Sequence, residues 1–170
     1  MKIFFDNWNP NSSSGPNSFG KKLYSSLEED GQEVFWAGNF KQSPDVRLSF
    51  IQEQVPLDVP TVQRLDGIYF NNSQDFKSLN SQILQTYNKS DVVIFQSDFN
   101  KMLTESWFGA HDRSYVIRNG TNLYQIAAAT PMESDAFGDF ENVWSCASSW
   151  RPHKRLGENI TYFLENSGNN

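Results

Sequence analysis

Residue types that bind metals or staple a fold are nearly missing from this chain. It has one cysteine, Cys146, and two histidines, His111 and His153. A lone cysteine closes no internal disulfide. Two histidines without acidic neighbours at ligand spacing make no zinc site. Cations are also few: 14 Lys and Arg stand against 20 Asp and Glu, a net charge of −6 at pH 7. That balance argues against general nucleic-acid binding, which draws on a basic face. No run approaches the roughly 18 apolar residues of a membrane span, and the opening MKIFF is too short to be a signal peptide. An Asp-x-Asp pair, a G-x-S-x-G elbow and a P-loop are all absent. These absences fit a reducing, cytoplasmic setting, with Cys146 expected as a buried thiol in the strand-like VWSCAS. The sequon at Asn119 is read as a product of Asn and Ser abundance.

Aromatic side chains are plentiful, at 15% of 170 residues, and hydrophobic residues reach 38%. That composition is globular, enough for one domain or one domain and part of another. KIFFD, EVFWAG, VRLSFI, TVQRLD, DVVIF, SYVI and NVWSCASSW read as strands. Helices are expected where apolar residues recur at 3.6-residue spacing. These sets are Phe19, Leu23 and Leu27; Phe76, Leu79, Ile83 and Tyr87; Phe99, Met102, Leu103 and Phe108; and Leu156, Ile160, Phe163 and Leu164. Asn17 or Ser18 is expected to cap the first helix. The unbroken apolar run Val92–Phe95 suggests a strand buried on both faces. Two prolines make VPLDVP a connection. Alternating β and α segments predict an α/β, Rossmann-like layered fold with six or seven mainly parallel strands. A boundary is expected where composition turns polar, giving domains 1–138 and 139–170.

Ligands of open parallel sheets bind at the carboxyl ends of the strands. Five segments fall there. SGPNSFG, with Gly15, Pro16 and Asn17, offers a helix start and close backbone approach; a flexible turn explains it equally. Asp66 of RLDGIYFN ends a strand and suits a general base or hydroxyl acceptor; an Asp-Gly turn is the plain alternative. Arg64 shares its face and could pair with it or hold an anion. Ser97 or Asp98 suits a helix cap. Asn119 and Gly120 read first as a turn. In WRPHKRL, Pro152 suits a first helical position, which sets Arg151 and Lys154 where cations are unfavourable unless an anion offsets them.

In their order, SGPNSFGKKLYSSL, RLDGIYFN, SDVVIFQSDFNK, WFG, VIRNG and WRPHKRL resemble family 4 glycosyltransferases of the GT-B fold, over essentially the whole chain. The resemblance implies an N-terminal domain that binds the acceptor and a C-terminal one that binds a nucleotide sugar. It implies sugar transfer with retention to a hydroxyl of a carbohydrate or lipid-linked acceptor, with no metal and no other cofactor. Asp66 would orient or deprotonate the acceptor. Gly15, Pro16, Asn17, Arg64, Ser97, Asn119 and Gly120 would border the cleft. Arg151 and Lys154 would face the donor diphosphate. Lys154 matches the family lysine, whereas Ser149 stands where the family has arginine.

On this reading the chain holds the acceptor domain and the first strand-helix unit of the donor domain, and is inactive alone. The tail helix is expected to fold back on the sheet layer, with pairing of two copies as the other way to cover its apolar face. A non-catalytic carbohydrate- or nucleotide-binding module and an interaction protein remain the alternative classes.

Overall fold

The computed structural model describes residues 1–40, 42–130, 145 and 154–167. Six strands form one all-parallel sheet in the order β2-β1-β3-β4-β5-β6. They are β1 (Lys2–Asp6), β2 (Glu33–Trp36), β3 (Val46–Phe50), β4 (Thr61–Leu65), β5 (Val92–Phe95) and β6 (Ser114–Val116). Helices α1 (Gly15–Glu29), α2 (Phe76–Lys89) and α3 (Asp98–Phe108) complete a Rossmann-like unit spanning Met1–Thr121. A second unit, Asn122–Asn170, contains α4 (Leu123–Ala127) and α5 (Leu156–Asn166). The expected boundary near residue 138, the strand expected at NVWSCASSW except Ser145, Cys146, His153 and Arg151 lie outside the described residues.

The pleat sends alternate side chains to opposite faces. On one face Ile3, Phe5, Val34 and Phe50 pack with Phe19, Leu23 and Leu27 of α1. On the other, Leu65, Val93 and Phe95 pack with Ile83 and Tyr87 of α2 and with Leu103 and Phe108 of α3. Sequential crossovers to the left of β1 and to its right place the helices on opposite faces, because right-handed connections run that way.

Two differences from the sequence reading have physical causes. First, β5 is fully buried on one side only: Val93 and Phe95 are buried while Val92 and Ile94 are half-buried. The cluster that β5 joins draws on α2 and α3, whereas α1 packs in the cluster built on β1, β2 and β3. Second, α3 turns polar residues inward. Asn100 and Thr104 are buried, whereas Phe99 and Met102 are each 63% exposed. The Asn100 side-chain amide donates to the Leu65 carbonyl at 2.7 Å, and its oxygen accepts from Thr104 at 3.2 Å. A buried amide with its bonds made can displace an apolar residue from a helix face.

The connections β2–β3 and β3–β4 carry no helix. The second of these is tied to the sheet by buried charge instead. Asp6, 1% exposed, accepts the backbone N–H groups of Asn7 and Gln54, each at 2.9 Å. Arg47, 3% exposed, donates to Thr61 Oγ1 and to the Val55 carbonyl, and its guanidinium lies 2.8 Å from Glu53. Burial pushes the Asp6 carboxyl above its usual range against the pull of these donors. Ile51 has φ of 71°, costly for a β-branched residue. The buried Gln63 amide holds it there, donating to its carbonyl at 2.6 Å.

Candidate functional site

The carboxyl ends of β4, β5 and β6 converge on one polar cluster. Arg64 is the penultimate residue of β4 and Asp66 follows the strand. Residues two apart along an extended chain share a face, and the Arg64 Nη1 donates to Asp66 Oδ1 in a close ion pair. Of the two roles open to Arg64, pairing is the one seen. Its Nη2 donates to Asn119 Oδ1 at 2.8 Å, and its guanidinium lies 3.8 Å from the centre of the Phe19 ring. The Arg64 side chain is 4% exposed, that of Asp66 22%. Gln96, just past β5, donates from Nε2 to the Asp66 carbonyl at 2.7 Å and accepts from Asn119 Nδ2 at 3.3 Å.

Burial raises the Asp66 carboxyl above its usual range, although the Arg64 cation pulls it down. Burial also lowers the Arg64 guanidinium, with Asp66 opposing. A guanidinium stays charged throughout, so the pair is a fixed cation and a carboxylate poised to take a proton. Only Oδ1 of Asp66 is bonded to a described residue. Its Oδ2 accepts from no described residue, and the side chain is 22% exposed.

Comparison with known proteins found no matching family model and no matching curated protein. The site is therefore read from its own chemistry.

The remaining candidates divide. Helix α1 begins at Gly15, with Ser14 as its N-cap three or four residues ahead of the expected Asn17 or Ser18, and the Ser14 side chain makes no capping bond to the helix backbone. A Cβ built on Gly15 meets nothing within 4 Å, so the helix start faces open space. Pro16 sits in its first turn. Asn17 is engaged locally: its Oδ1 accepts from Asn9 N at 2.8 Å, its Nδ2 donates to Ser14 Oγ at 2.8 Å, and its carbonyl accepts from the Trp8 indole at 3.1 Å. Ser97 is the cap of α3, accepting from Asn100 N at 3.1 Å. Asn119 and Gly120 form no turn; the chain is irregular there, and Asn119 serves Arg64. Lys154 belongs to the second unit. It lies ahead of α5 rather than within it, because Arg155 has φ of 54° and the helix starts only at Leu156. The expected helix start at Pro152 falls outside the described residues.

Spacing marks Phe19 only as a helix-face residue, and Gln96 stands unremarked within SDVVIFQSDFNK, yet both are members of the cluster. Gln96 could have been found by position, since it follows β5 as Asp66 follows β4. Nothing local marks Phe19 as the ring beneath Arg64.

Proposed function

We propose that the unit Met1–Thr121 binds the acceptor for transfer of a sugar from a nucleotide-sugar donor, with retention and without a metal. The observation that carries this reading is the Asp66 carboxyl group. It is half-buried at the end of a central parallel strand, held through one oxygen, with the other bonded to no described residue. A carboxyl group raised by burial is a better proton acceptor at working pH than an ordinary aspartate. Asp66 orients or deprotonates the acceptor hydroxyl. Arg64, Asn119 and Gln96 position it, and the open helix start at Gly15 and Pro16 borders the sugar. The similarity to family 4 glycosyltransferases supports the reaction type and assigns the leaving diphosphate to Arg151 and Lys154, where cations offset the charge that develops.

The test uses the polypeptide as its gene encodes it, assayed for transfer from radiolabelled nucleotide sugars. Asp66→Asn is expected to keep the fold and to lower turnover by about 10²–10⁴-fold. Unchanged activity per folded molecule would return Asp66 to a purely structural role.

A further inference from the structure

Building on that acceptor-site reading, we infer that the strand-end site takes an uncharged pyranoside, stacked on Tyr69 and Phe70 with a hydroxyl on Asp66 Oδ2, and rejects phosphorylated sugars. Three observations meet here. The first is electrostatic. The two arginines at these strand ends each have a carboxylate partner. Arg64 spends its Nη groups on Asp66 and Asn119 and one face of its guanidinium plane on the Phe19 ring. Arg118 pairs with Asp98. Each cation is therefore matched, no surplus positive charge remains at these strand ends to draw a phosphate, and the second oxygen of Asp66 can accept from a hydroxyl.

The second observation is the loop after Asp66. Tyr69 and Phe70 are 44% and 56% exposed, yet the Tyr69 backbone is clamped. Asn80, 5% exposed, accepts from the Tyr69 N–H at 2.9 Å and donates to the Tyr69 carbonyl at 2.7 Å. Exposed rings on an anchored backbone are pre-organised, so a ligand loses little entropy in ordering them. The third is reach. Tyr69 lies three residues after Asp66, at most about 11 Å along the chain. One sugar-sized ligand can therefore touch carboxylate and ring together. Two aromatic rings, at about 150–250 Å² each, fall well short of the roughly 800 Å² per partner of a stable protein interface. A small ligand suits them better.

Saturation-transfer NMR on the intact chain tests this, using the methyl pyranosides of glucose, galactose, mannose and N-acetylglucosamine together with glucose 6-phosphate and mannose 6-phosphate. At least one uncharged glycoside is expected to bind through its ring C–H protons. Its affinity should fall about tenfold or more in the double variant Tyr69→Ala, Phe70→Ala, with melting temperature checked because both side chains are exposed. The matching phosphate should bind more weakly, and Asp66→Asn should narrow that gap. Failure of every glycoside to bind, binding that ignores the loss of both rings, or tighter binding of a phosphate would each overturn the inference. Binding that needs the rings but is indifferent to Asp66→Asn would leave the stacking platform standing and remove the role given to Asp66.

Discussion

Asp66 illustrates how a single side chain answers to two demands. Its raised carboxyl carries a sign for stability. A group more easily protonated in the folded state stabilises the fold fully below its unfolded value, about 3.9 for aspartate, and loses that contribution as pH rises through the higher folded value. Asp66→Asn removes this titration. The stability advantage of wild type over Asp66→Asn should therefore shrink as pH is raised from about 4 through the raised value. Urea unfolding of both proteins across that range measures it; an advantage that grows with pH would contradict the assignment. The Arg64–Asp66 pairing was partly legible, since a two-residue spacing on a strand gives a common face. Burial of the guanidinium was not, because it depends on Phe19 from α1 and Asn119 from beyond β6, neither of which is near Arg64 in sequence.

Elements were easier to read than their facings. KIFFD, the run Val92–Phe95 and the Leu156-to-Leu164 spacing all lie on the elements expected. Periodicity failed in α3, where Asn100 outcompetes apolar neighbours by bonding the Leu65 carbonyl. Amphipathic counting has no entry for an amide that completes another element. Helix α1 offers a pair of glycines with opposite expectations. A Cβ on Gly20 would stand 2.2 Å from the Trp8 indole nitrogen, while one on Gly15 meets nothing. Gly20→Ala should thus displace the indole and cost roughly 1–3 kcal/mol, despite alanine's better helix propensity. Gly15→Ala should be neutral to stabilising by at most about 1 kcal/mol. Thermal unfolding followed by tryptophan fluorescence separates them. If Gly15→Ala also lowers acceptor affinity, the open space at the helix start belongs to the ligand.

At the scale of the molecule, all six strands and both apolar clusters belong to Met1–Thr121. A fragment ending at Thr121 is expected to fold cooperatively on its own, with amide NMR signals of β1–β6 matching those of the longer chain; a collapsed spectrum would show that the second unit is needed for the first to fold. Helix α5, in the second unit, has no buried residue, and Leu156, Ile160, Phe163 and Leu164 are 43%, 49%, 37% and 67% exposed. Its apolar stripe was visible in sequence as spacing alone. What covers that stripe was not, since spacing shows that a face exists and says nothing of its partner.

The strand order also sets a timetable. One edge of β1 is paired once β2 has been synthesised, and the other must wait for β3. After that, β4, β5 and β6 are each laid on the newest edge in the order in which they leave the ribosome. Parallel pairing across long loops is slow, but here no strand has to be inserted between two already in place. Arg64 enters with the fourth strand, and its amide partner Asn119 arrives only after the sixth. The candidate site is thus the last part of the sheet to be finished, and a nascent chain could hold a nearly complete core before it holds any ligand.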